Sequence, residues 1–362
     1  MSTAERSASL RPSRRSRPLR LEDPESYWFV TSRTLEQVFW LHPLLCSELQ
    51  PVNREARRQV ARKRARLDER LAKLVRRRNK RFEGHKDAIS LQDAKERAQA
   101  MISGALARAR ELYAREDSPP VEIFSVVAMS NHLHLVLRAP GKNLSAFVGK
   151  FLEFVAKDIN WLLGRTGPVF PRRFDAQPLL DEGALHNRVA YTLNNPVAAG
   201  LVEEPGDWPG FVAVAGLARQ GSCAARYFDA TAWYRAAKPK DRSPFWREAS
   251  LPLHRLPGHE HQSDAQYLQQ LMGWTLGEGM ARPDRVLGID GVLNADVDRR
   301  PARPRHSRRP YAFGSKEATL AYREAAREVL ACYQQCIEQL RRGERDITWP
   351  PGTYAPGVML AA

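Results

Sequence analysis

The chain holds only four cysteines, Cys46, Cys223, Cys332 and Cys336, spread over 362 residues. So few and so scattered, they argue against a disulfide framework, and Cys332-x-x-x-Cys336 has no second pair to complete a zinc site. No apolar run approaches the roughly 18 residues of a membrane span, and the Arg-rich start lacks the apolar core of a signal peptide. The expectation is a soluble, cytoplasmic protein with no membrane partner. A Gly-rich phosphate loop, a Gly-x-Ser-x-Gly elbow and internal repeats are all missing, which sets aside P-loop nucleotide hydrolysis, serine-esterase chemistry and a solenoid.

Acidic residues are also short in supply, 41 against 57 Lys and Arg, and the imbalance is local. Residues 1–20 carry six Arg against one Glu, and residues 54–81 carry fourteen Lys or Arg against three acids. These two segments account for the whole net charge of +16. Confined excess of this kind suits appendages that grip a nucleic-acid backbone, where an ordinary solvated helix mixes both signs.

In order, residues 1–20 read as a disordered basic arm. Tyr27–Arg33 reads as a strand and Leu35–Leu49 as a short helix ended by Pro51. Residues 53–116 read as an inserted, highly charged helical hairpin projecting from the main domain. Its second limb opens on a capping-box pattern, Ser90-x-x-Asp93, with Ala94, Ala98, Met101, Ala105, Ala109 and Leu112 on one stripe. Two strands follow around Met129-Ser130-Asn131. Next come a helix over Leu144–Leu163, an extended stretch over 169–180, and a helix from N-cap Asp181 that proline ends at Asn195. This order gives an α+β fold, a ferredoxin-like sandwich with a small antiparallel sheet and helices on one face. A mainly helical extension covers 211–362, with an Arg/Pro-rich linker around 296–310 and a helix over Ser315–Leu340 capped by Gly343. The apolar stripe of that helix includes both Cys332 and Cys336. The catalytic domain is thus expected over 21–210.

The stretch that carries chemistry is Ile123-Phe-Ser-Val-Val-Ala-Met-Ser-Asn-His132-Leu-His134-Leu-Val-Leu-Arg138. Strand alternation puts His132 and His134 on one face and Leu133 on the other, so two imidazoles form a ready pair of metal ligands. Tyr191 lies on the helix that follows, with Asn195 one turn later on the same face. A tyrosine facing such a metal is a sensible phosphodiester nucleophile.

Ala128-Met-Ser-Asn-His-Leu-His-Leu-Val-Leu137 and Tyr191-Thr-Leu-Asn-Asn-Pro-Val-Ala-Ala-Gly-Leu-Val202 resemble the two hallmark motifs of REP-associated tyrosine transposases. That family belongs to the single-tyrosine HUH endonucleases. The resemblance runs from about Pro24 to Asp207, and Trp349-Pro-Pro-Gly-Thr-Tyr354 is similar to the ending of longer relatives. It implies His132, His134 and Asn195 as ligands of Mg²⁺ or Mn²⁺, and Tyr191 as nucleophile. It further implies hairpin-forming or single-stranded DNA as substrate, a 5′-phosphotyrosine intermediate, and either a monomer or a homodimer. The 53–116 segment and the tail after 210 lie outside the minimal catalytic domain of that family.

Arg172, Arg173, Arg33 and Lys150 are candidate phosphate contacts. His254-x-x-x-x-His259-Glu-His261 could bind metal, but it lies in a Pro/Gly loop with no cysteine partner, which disfavours a site there. Two other readings compete. One is a non-catalytic DNA- or RNA-binding regulator on the same fold. The other is a metal hydrolase without a covalent intermediate, disfavoured because no Asp or Glu stands beside the histidines.

Overall fold

The computed structural model describes residues 20–39, 41–42, 91–114, 118–162, 166–171, 173–217, 221–241, 243–277, 286–293, 295, 311–350 and 353. It divides into two compact units. One spans Asp23–Gly314, and the other joins Met1–Glu22 to Ser315–Ala362. The expected basic arm, the first limb of the hairpin with its capping Ser90, and the 296–310 linker fall outside the described residues, apart from Arg20.

The larger unit is built on a five-stranded antiparallel sheet of order β4-β1-β3-β2-β5. Its strands are β1 (Tyr27–Arg33), β2 (Glu122–Met129), β3 (His132–Arg138), β4 (Asp175–Leu179) and β5 (Phe211–Val214). β2 and β3 form a hairpin across the two-residue turn Ser130-Asn131. In β3 the apolar residues Leu135, Val136 and Leu137 follow one another, and the burial follows. Leu133, Leu135 and Leu137 point to one face, Val136 to the other, and all are 0% exposed. Both faces of the sheet are therefore covered, where the sequence led us to expect helices on one face. A strand with consecutive apolar residues loses stabilisation unless both sides are buried.

Helix α1 (Leu91–Tyr113) corrects a second expectation. It does not project. Ile102, Ser103, Ala105, Leu106, Ala107 and Ala109 are all buried, so over 102–109 the contacts extend beyond one stripe. It packs on α2 (Leu144–Leu162) and on a separate two-stranded ribbon of β6 (Ser222–Phe228) and β7 (Trp246–Pro252). Gly104 permits the ribbon's approach, because a Cβ there would lie 2.2 Å from the carbonyl oxygen of Arg226.

The boundary expected at residue 210 is also absent. β5 is the outer strand of the main sheet, and Leu251, Leu253, Leu256, Tyr267 and Leu271 belong to the same apolar core as the sheet. Trp208, fully buried just before β5, donates its indole N–H to the carbonyl of Ala128 at 3.0 Å, and Ala128 pairs across the boundary with Phe211 of β5. Where a helix was expected over Leu35–Leu49, the described residues at its start form a 3-10 turn, Leu35–Gln37, before Val38 turns extended, and residues 43–49 lie outside the described ones.

α3 (Glu182–Ala198) starts where expected, with Asp181 Oδ1 accepting from the Ala184 N–H. It does not stop at Asn195. Pro196 lies inside its last turn, where a missing N–H costs one hydrogen bond, and burial of Pro196 and Val197 offsets that loss. The remaining helices of this unit are α4 (Ala230–Arg235), α5 (Asp264–Gly277) and α6 (Gly288–Leu293). No described helix is long and apolar enough to cross a membrane.

In the smaller unit, α7 (Lys316–Arg341) is capped by Ser315, whose Oγ accepts from Ala318, and ends before Gly343 at φ +89°. Cys336 is buried, with its thiol on the carbonyl of Thr348 at 3.5 Å. Cys332, expected beside it on the apolar stripe, is exposed, and Tyr333 takes the packing position against Trp349.

Candidate active site

β3 carries His132 and His134 on one face, with ring centroids 4.9 Å apart. Their neighbours come from β1, because register sets Thr31 opposite His134 and Arg33 opposite His132. Thr31 Oγ1 lies 2.9 Å from His134 Nδ1, and both side chains are buried. Asn131 Oδ1 lies 2.7 Å from His132 Nδ1. With the proton on each Nδ1, both rings donate to these oxygens and turn the Nε2 lone pair toward the ligand role. Outer-shell oxygens orient metal-ligating histidines in this way.

α3 crosses this face and brings Tyr191 to the histidines, 5.5 Å between the ring centroids of His134 and Tyr191, edge to face. Phe29 of β1 stacks on His134 at 5.0 Å and meets the Tyr191 ring at 5.9 Å. Phe313 closes the group, 5.8 Å from Phe29, its backbone joined to the β4 edge through Pro178 and Leu180. The guanidinium of Arg188 lies over three of these rings, 4.4 Å from Phe313, 4.9 Å from Tyr191 and 5.7 Å from Phe29. The side chain of Arg188 also donates to Asn187. A cation thus stands beside the phenol ring, one helical turn before it.

Asn195 is 6% exposed, one turn beyond Tyr191 on α3. The two histidines and this amide fit a divalent ion in donor type. Among the described residues no group of three or more His, Cys, Asp or Glu is disposed to hold a metal.

The cationic candidates separate. Arg33 stands across from His132 and extends the site. Arg173 is exposed, on Ser145 Oγ at 2.8 Å and beside the Phe174 ring. Lys150 belongs to an ion-pair group on α2. Glu153, 2.8 Å from Lys150, also takes Lys157. Burial raises the Glu153 carboxyl, but the two lysine hydrogen bonds outweigh it and hold the group below its usual range. Arg172 lies outside the described residues.

Two of the loop histidines pack on rings, His254 against Phe124 and His259 against His186, and His261 is exposed. His259, 9% exposed, meets the His186 ring at 5.3 Å, and His186 stacks on Trp274 of α5 at 4.2 Å. Burial pushes His186 below its ordinary value, against the raising effect of Glu182 and with a lowering one from His259.

Sequence reasoning missed Phe29, Thr31, Arg188 and Phe313. Arg188 was within reach, since a residue three before the candidate nucleophile shares its helix face. Thr31 needed the β1–β3 register, and Phe313 has no local signal at all. The chain matches none of the protein-family models, curated proteins or solved structures with which it was compared.

Proposed function

We propose that this chain is a metal-dependent endonuclease and strand transferase for single-stranded DNA, of the REP-associated tyrosine transposase kind. The observation that carries the reading is the meeting of Tyr191 with His134. Two motifs far apart in the sequence, each weak alone, join at one face of the sheet. The strand order β4-β1-β3-β2, with a helix after β1 and another after β3, supports a ferredoxin-like sandwich beneath them.

In this reading the Tyr191 oxygen attacks the scissile phosphorus in line. The P–O3′ bond breaks as the O–P bond forms, giving a 5′-phosphotyrosine and a free 3′-OH, which takes up the proton that the phenol gives up. Attack by a 3′-OH on the phosphotyrosine reverses the step and rejoins DNA without a nucleotide cofactor. Held by His132, His134 and Asn195, Mg²⁺ or Mn²⁺ would draw charge from the phosphoryl oxygens. Arg188 and Arg33 supply fixed positive charge beside the phenol and the histidines, and Phe29 and His134, stacked on each other, both meet the Tyr191 ring edge to face. The basic segments at 1–20 and 54–81 grip the DNA backbone, so affinity falls steeply with salt.

The test is covalent trapping. Wild type and Tyr191→Phe are mixed with labelled single-stranded hairpin oligonucleotides and Mn²⁺, then resolved on a denaturing gel. The expected result is a metal-requiring protein–DNA adduct from wild type and none from the variant. Salt-sensitive binding without any adduct, across a broad oligonucleotide pool, would replace this proposal with the non-catalytic regulator.

A further inference from the structure

Away from the histidines, the β6–β7 ribbon turns one face to α1 and leaves the other open. Register pairs Phe228 with Trp246 and Arg226 with Glu248 on that outer face. The aromatic rings run on in a chain. Trp246 meets Phe228 at 5.6 Å, Phe228 meets Trp233 at 5.8 Å, and Trp233 meets Tyr234 at 5.2 Å. Tyr234 is 59% and Trp246 43% exposed, the most exposed aromatic side chains among the described residues. Such rings are normally buried, as Trp28 and Trp208 are here.

Cations punctuate the chain at both ends. The Arg226 guanidinium lies 4.8 Å over Trp246, and the Lys238 ammonium 4.5 Å over Tyr234. Residues 226–248 hold six aromatic residues and six Lys or Arg against three Asp or Glu, although aromatics are only 9% of the whole chain. Two of the acids answer local arginines, Glu248 that of Arg226 and Asp229 that of Arg247, and the segment as a whole carries a net charge of +3. Exposed rings spaced a few ångströms apart and flanked by cations are what a single-stranded nucleic acid uses: bases stack on π-faces while phosphates meet the charge.

We propose that the outer face of the β6–β7 ribbon, with Trp246 and Tyr234 as platforms and Arg226 and Lys238 beside them, is a second binding site for single-stranded nucleic acid. It stands whether or not Tyr191 is a nucleophile. An apolar protein partner would prefer a face without cations, and duplex DNA offers no free base to stack.

The experiment is fluorescence anisotropy of labelled oligo(dT) and oligo(U) with the full chain, without added metal. High salt weakens the backbone grip of the basic segments and leaves stacking in view. Replacing one stacking ring is expected to weaken binding roughly tenfold, so Trp246→Ala with Tyr234→Ala weakens it on the order of 100-fold. Trp246→Phe restores most of its share. Both residues are exposed, so thermal melting of the variants stays with wild type. Stronger binding of one oligomer than the other names the strand as DNA or RNA within the proposal. A double variant within threefold of wild type overturns the proposal, as does equal competition by duplex DNA or polyglutamate. Ring-dependent binding without any trapped adduct would keep this site and refute the catalytic reading.

Discussion

Replacing Thr31 by valine deletes one oxygen and almost no volume, which makes it a sharp probe of how His134 is aimed. The hydroxyl lies 2.9 Å from His134 Nδ1, in a pocket where Thr31 is 6% and His134 4% exposed. Without it the ring has two options. It can keep the proton on Nδ1 and leave a buried donor unsatisfied, at about 1–3 kcal/mol. Alternatively it can move the proton to Nε2, the nitrogen that must stay bare to hold a metal. Removing an outer-shell partner typically weakens metal binding 10- to 100-fold, which is about 1.4–2.8 kcal/mol. The two routes agree in size. Calorimetric titration with Mn²⁺ and the metal dependence of adduct yield should therefore both shift 10- to 100-fold in Thr31→Val. Thr31→Ser, which keeps the oxygen, should stay near wild type. Equal Mn²⁺ affinity for the valine and serine variants would refute the reasoning, even if the valine protein melted earlier.

Two other outcomes test packing and titration. Gly104→Ala places a methyl 2.2 Å from a backbone carbonyl oxygen that cannot turn aside. Overpacking at the upper end of about 1–3 kcal/mol, less about 1 kcal/mol of helix propensity regained, should lower stability by about 1–2 kcal/mol in a urea titration. An unchanged midpoint would mean that β6 moves freely off α1. His186 and His254 are both held below their ordinary value of 6.5, first by burial. Above that pH both states are neutral there. As pH falls through about 6.5 the unfolded chain takes up protons that the folded one refuses, so stability declines. His186→Phe keeps the stack on Trp274 and removes one of those protons, so its decline below about pH 6.5 should be shallower. Parallel curves for the two proteins would assign the acid sensitivity elsewhere.

The strands and the histidine face were legible because a period of two needs only a short window of residues. Leu133, Leu135 and Leu137 opposite His132 and His134 gave the hairpin and its two faces. The start of α3 was equally plain from Asp181. Its end was not, since the local rule at Pro196 yields to the packing of Val197, which no local window contains. The same limit hid the nature of α1. Its Ala-rich stripe looked like the inner side of a projecting hairpin, and only the arrival of α2 and β6 shows why residues off that stripe are buried too. Tyr191 was found by motif, whereas Arg188 and Phe313 gained their meaning only when their rings and charges met in space.

The contact between Phe29 and Phe313 bears on how this molecule is made. Synthesis delivers β1 early and residue 313 very late, and a pairing of such separation closes slowly. The histidine hairpin and α3 emerge between them and can dock while the chain is still growing. The wall of rings around Tyr191, however, has its last member only after residue 313 has left the ribosome. A nascent chain halted before that point would carry both motifs with an unfinished pocket, so a ribosome-stalled series of lengths should show native-like protection of Tyr191 only past residue 313.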